Sequence, residues 1–174
     1  MPQQPGRGLG GGPRGPGGPG QGPRRADDRP QVQSEEFKTV IEKISLASPE
    51  PGLFDTVAQQ VAKTLRPAAG QGPNKRSQVR RFYDELLRFR ARLPVAHAPA
   101  GGEDEEFRRA LPFIRMLNAR AAYAAERKSD GGNLVSAEFT AFLRRLLEEV
   151  RDRETLANAC TMFEAVIGFM PPDK

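Results

Sequence analysis

From Ser34 onward, apolar residues recur at intervals of three and four with charged positions between them, the spacing of helices that bury one side. Ser34 followed by Glu35 and Glu36 marks a helix start, because a short hydroxyl can cap the first N–H groups and early carboxylates suit the positive helix end. Phe37, Val40, Ile41 and Ile44 then share one face. "SPEPG", Ser48 to Gly52, breaks that helix, and Leu53, Phe54, Val57, Val61 and Leu65 mark a second, closed by the loop "PAAGQGP". A third helix is expected from Asn74 to about Leu93, with Val79, Phe82, Tyr83, Leu86 and Leu93 on one side. After an Ala/Pro/Gly loop around His97, the cluster "EDEE" (Glu103 to Glu106) opens a long fourth helix running to about Arg127, with Pro112 its one candidate kink. "SDGGN" makes a turn. Phe139, Phe142, Leu143, Leu146, Leu147 and Val150 form a fifth stripe, and Leu156, Cys160, Phe163, Ile167 and Met170 a sixth, stopped by Pro171 and Pro172. No segment alternates with period two and no repeat is present. The expected fold is an all-α bundle of five to six helices in a single domain over 34–174.

The first 33 residues change that picture. Residues 1–30 hold 10 Gly and 7 Pro, and cannot bury enough apolar surface to offset chain entropy, so a disordered Gly/Pro/Arg-rich extension is expected over 1–33. With five Arg against two Asp, this tail carries about half of the net charge of +5 and leaves the helical part only mildly basic. No apolar run approaches the roughly 18 residues needed to span a bilayer, and the start lacks the apolar segment of a secretion signal. The chain therefore reads as cytoplasmic with no membrane partner. Its one cysteine, Cys160, excludes an internal disulfide.

On the third helix, at 100° per residue, Arg81, Arg88 and Arg92 fall within about 40° of one another opposite the apolar arc. Arg90 instead projects toward the apolar side, which requires either snorkelling or an end of the helix that faces solvent or a partner. On the fourth, Phe107, Leu111, Ile114, Leu117 and Ala121 point inward, while Arg109, Arg120 and Arg127 lie within about 20° and would span roughly 27 Å on an unbroken helix. Phe113, Met116 and Tyr123 flank this row. Aligned cations suit a polyanion, because each neutralised phosphate releases counterions, and the guanidinium fork can take a phosphate through two hydrogen bonds. Flanking aromatics could stack on the bases of a single strand or fill a contact with another subunit. The same rows also fit a solvated face balanced by carboxylates such as Asp84 and Glu85.

Other chemistry is poorly supplied. The G-x-G-x-x-G matches at Gly6 and Gly15 have no strand before them and no helix after. Arg7-Gly8 and Arg14-Gly15 resemble the steps of disordered RNA-binding segments, but the tail has no aromatic. His97 lacks the partners of a zinc site or a triad, Cys160 lies on an apolar stripe, and the "EDEE" carboxylates serve a helix start. Neither a cofactor, a metal nor an active site is expected, so binding is favoured over catalysis.

Three stretches, "SQVRRFYDELLR" (Ser77 to Arg88), "LPFIRMLNARAAYAAERK" (Leu111 to Lys128) and "CTMFEAVIGF" (Cys160 to Phe169), resemble in this order segments of the small subunit of type III-A CRISPR effector complexes. The likeness covers most of the chain after the tail and none of the tail, and the middle stretch is the most specific. The resemblance implies a helical, non-catalytic subunit in an antiviral RNA-guided complex. It would stack in several copies beside a repeated backbone subunit, near a large nucleotide-cyclising subunit, lining the groove where guide RNA and target RNA pair. Matching positions imply RNA contacts by Gln78, Arg80, Arg115, Arg120, Tyr123 and Arg127. The helical projection adds Arg81, Arg88 and Arg109, and charge near the motifs adds Lys75, Arg76 and Lys128. Asn118 stands where the family commonly has Lys. Two readings compete: a structural bundle whose cations dock on acidic faces of neighbouring subunits, and a DNA-binding helical protein, although no helix-turn-helix spacing is evident.

Overall fold

The computed structural model describes residues 34–66, 72–101, 103–129 and 132–173. The Gly/Pro/Arg-rich extension lies outside the described residues, as do most of the "PAAGQGP" loop and the tip of the "SDGGN" turn. Seven α-helices are present among the described residues: α1 Glu35–Glu42, α2 Ala58–Leu65, α3 Arg76–Arg92, α4 Glu105–Arg115, α5 Leu117–Glu126, α6 Ala137–Glu148 and α7 Arg153–Phe169. A π-helical turn, Leu53–Val57, leads into α2, and a 3-10 turn, Val95–His97, follows α3. The fold is an all-α bundle.

Side-chain caps begin four of these helices. Ser34 Oγ accepts from Phe37 N–H at 3.2 Å, as its place before two glutamates predicts. Asp104, inside the "EDEE" cluster, accepts from Phe107 N–H at 3.0 Å. Ser136 caps α6 through Phe139 N–H, and Asp152 with Thr155 forms a reciprocal capping box on α7.

The apolar stripes meet as expected. Helix α7 packs against α2 and α3, and α5 packs against α6. Phe163 stands at the centre, with its ring 5.8 Å from Tyr83, 6.1 Å from Phe139 and 5.6 Å from Phe142, the tilted and edge-on geometry that aromatic quadrupoles favour. Phe107, Ile114, Leu117 and Ala121 are buried and Leu111 is half-buried.

Two expectations need correction. The long fourth helix is two helices: α4 continues through Pro112, and the interruption falls at Met116, whose carbonyl accepts from both Ala119 N–H at 3.1 Å and Arg120 N–H at 3.3 Å. That sharing is the tightened geometry of a 3-10 step. Asn74, expected inside the third helix, precedes it with φ 65° and is buried. Its Nδ2 donates to Leu65 O at 3.1 Å and to Ser136 Oγ at 3.0 Å, its Oδ1 accepts from Ser136 N–H at 2.8 Å, and its own N–H donates to Leu134 O at 3.0 Å. One side chain thus joins the end of α2, the approach to α3 and the cap of α6. Between α5 and α6, Lys128–Ser129 pairs antiparallel with Gly132–Asn133, a small hairpin within the expected turn.

Candidate nucleic-acid interface

The aligned cations of α3 do not all serve one place. Arg76 opens the helix and Arg92 closes it, so the helix is roughly 24 Å long at 1.5 Å per residue, and the ridge of Arg81, Arg88 and Arg92 covers about 16 Å of it. At the start, Lys75 is exposed, and Arg76 and Gln78 are half-buried. An internal carboxylate already occupies the amide end of the helix there: Asp173 accepts from Arg76 N–H at 2.6 Å and Ser77 N–H at 2.9 Å. Hydrogen bonding from Ser77, reinforced by Arg76, holds the Asp173 carboxyl below the usual carboxylate range. Farther along, Arg80 lies 3.7 Å from Asp84, and Arg81 is exposed with no ion pair among the described residues.

At the other end the two Arg rows converge. Glu85, on α3, meets Arg88 at 2.9 Å and also reaches Arg120 of α5 at 3.3 Å. Arg109 of α4 pairs with Glu105 at 2.8 Å. Arg92, Arg109 and Arg120 line one groove of about 470 Å3 between α3 and the α4–α5 pair, floored by Phe89, Ala110, Leu93 and Leu117 with Phe113 and Met116 at its side. Arg92 belongs to the sequence ridge but not to the family-supported set, and its signal was that ridge alone. The ion pairs here are exposed, a class worth about 0–1 kcal/mol, so an incoming anion can exchange for these carboxylates.

The fourth-helix row is not a straight line of three. Arg109 is on α4, Arg120 is on α5, and Arg127 is the extended residue that ends α5. Arg115 and Arg127 are exposed, and Tyr123 is 67% exposed. The side chain of Lys128 lies outside the described residues. Arg90 reaches solvent beside Pro94 and Val95, which answers its apparent position on the apolar arc.

The groove wall formed by α4 is fixed to the bundle by Arg153, the first residue of α7 and only 5% exposed. Its guanidinium donates to Asp104 at 2.5 and 3.1 Å and to Glu106 at 2.7 Å. Hydrogen bonds from Arg153, then from Phe107 N–H, hold Asp104 below the usual carboxylate range, and the hydrogen bonds to Asp104 and then Glu106 raise Arg153. The sequence marks the "EDEE" cluster as a helix start, but neither Asp104 as its cap nor this long-range partner is legible there.

His97 is exposed in the 3-10 turn, and Cys160 is buried, with burial pushing its thiol up to about 12. Among the described residues no group of three His, Cys, Asp or Glu is placed to hold a metal ion, and no described helix is long and apolar enough to cross a membrane.

The family model of type III-A Csm2 matches residues 49–170, a span that holds all seven helices except α1 and includes the groove. The chain belongs to the type III-A Csm2 family. It is thus a small subunit of a type III-A CRISPR effector, a member of a multi-subunit Csm complex. No curated protein and no solved structure matches the chain.

Proposed function

We propose that this Csm2-family subunit grips the sugar-phosphate backbone of guide-paired or target RNA with its exposed Arg faces, performs no bond breaking, and thereby supports RNA capture in antiviral defence. The observation that carries this reading is the convergence of Arg88, Arg92, Arg109 and Arg120 around Glu85 and one groove, although they come from three helices. All four are exposed, so none has been desolvated for the benefit of the core. Guide pairing would supply sequence discrimination while the subunit holds phosphates, making its own binding weak, salt-sensitive and nearly sequence-blind. Neighbouring copies, the repeated backbone subunit and the large cyclase subunit are the partners of this reading, in the cytoplasm, and repeated copies add avidity along the RNA.

The test is titration of single-stranded RNA at two salt concentrations with the Arg120→Glu, Arg127→Glu double variant. Weakened, less salt-sensitive binding with an unchanged helical spectrum is expected. Unchanged binding with intact folding would remove the α5 cations from the interface. A second reading, cations docked on acidic faces of neighbouring subunits, draws on the exposed Tyr123 beside Arg120 and Arg127. It expects the same double variant to drop out of the assembled complex.

A further inference from the structure

Phosphate contacts leave one feature of the groove unused. Phe113 is 61% exposed and Met116 48%, so the apolar side of the groove faces solvent and not the core. A polyanion backbone has no use for a phenyl ring. We propose that this groove takes one unstacked nucleobase of a single strand against the Phe113 ring, with Arg92, Arg109 and Arg120 holding the phosphates on either side of that base. This rests on the RNA reading above and adds to it a base-binding subsite and a preference for unpaired nucleotides.

Three observations support that occupant. First, the apolar floor and the guanidinium rim lie in one groove, matching a group that is flat and apolar in the middle and anionic at its edges. Second, the carboxylates present do not cancel the rim: Glu85 is shared between Arg88 and Arg120, Glu105 between Arg108 and Arg109, and Glu106, which also lines the groove, is held by Arg153 at 2.7 Å. Arg92 has no ion pair among the described residues, and the lining sets three Arg against two Glu, so the groove is net cationic. Third, the size fits: about 470 Å3 is a volume suited to a small-molecule-sized group such as one nucleotide.

Base stacking on an aromatic ring tolerates any sequence, because every base has a π-face, so the subsite keeps the subunit sequence-blind. It requires an unstacked base, which a continuous A-form duplex does not present. The groove therefore favours single-stranded or splayed-out nucleotides over paired ones.

Phe113 is exposed, so its removal leaves the core intact, and the full chain can be compared as wild type, Phe113→Ala and Phe113→Tyr. Each is titrated by fluorescence anisotropy with a short oligouridylate and with an abasic ribose-phosphate strand of equal length and charge. The expected result is that Phe113→Ala binds oligouridylate about tenfold more weakly, binds the abasic strand as wild type does, and is restored by Phe113→Tyr. Equal affinity of Phe113→Ala and wild type for oligouridylate would overturn the base subsite while leaving the cation reading standing. Equal loss on both strands would also overturn it, since the ring would then act only through phosphate contacts. No binding of either strand by wild type would remove the cation reading itself. Loss of self-association in Phe113→Ala, measured by sedimentation with RNA affinity unchanged, would overturn the proposal by assigning the groove to a second copy.

Discussion

Replacing Asn74 tests how the fold positions α3, and the size of the effect can be worked from its contacts. The side chain makes three buried hydrogen bonds, to Leu65 O at 3.1 Å, Ser136 Oγ at 3.0 Å and from Ser136 N–H at 2.8 Å. In Asn74→Ala the Leu65 carbonyl and the Ser136 N–H lose their partners inside the bundle, at about 1–3 kcal/mol each. Alanine is also poorly suited to φ 65°, a left-handed backbone worth a further penalty of about 1–2 kcal/mol. The expected loss is about 3–8 kcal/mol, a large part of the roughly 5–15 kcal/mol that holds a typical domain. Asn74→Gly removes the same hydrogen bonds but accepts the backbone, so it should be milder by about 1 kcal/mol. Urea denaturation followed by far-UV circular dichroism measures both. A loss below about 1 kcal/mol for Asn74→Ala, or a glycine variant worse than the alanine one, would refute the reasoning.

The Arg153 cluster gives stability an acid limb: Asp104 has a folded pKa below its unfolded value near 4, so its contribution is complete above about pH 4 and is lost as pH falls through the folded value. Thermal melts from pH 7 downward should show Asp104→Asn less stable at neutral pH and flatter toward acid than wild type; parallel curves would contradict this. Phe163→Ala, at the junction of three other rings, should destabilise by about 3–5 kcal/mol in the same urea assay, whereas a change near zero would mean the aromatic cluster collapses around the void. Cys160, buried and with its thiol raised to about 12, should react with a thiol reagent only on unfolding, so rapid native labelling would contradict its placement.

The helices were legible because burying one face of a helix imposes a local period, and Ser34 and the "EDEE" helix start were legible because capping and the helix dipole act within one turn. What the sequence concealed was long-range. Asn74 and Ser136 are 62 positions apart, and Arg153 reaches Asp104 across 49, distances at which no periodicity connects residues. The break at Met116 was hidden for a different reason: methionine is a good helix former, and the obvious disruptor, Pro112, sits within a helix that continues past it. Each Arg row could be projected separately, with Arg88 and Arg120 on different helices. Their meeting at Glu85 is an ion pair that crosses from α3 to α5, and only tertiary structure provides that.

The most direct test of the central claim, that the convergent Arg groups face RNA and not a protein neighbour, is target-RNA retention by an effector complex assembled with the Arg88→Ala, Arg109→Ala, Arg120→Ala subunit. The complex should assemble with its full complement of this subunit and release target RNA faster than wild type, with the difference narrowing as salt is raised. A complex that loses the subunit, or one that assembles and retains target RNA as wild type does, would contradict it.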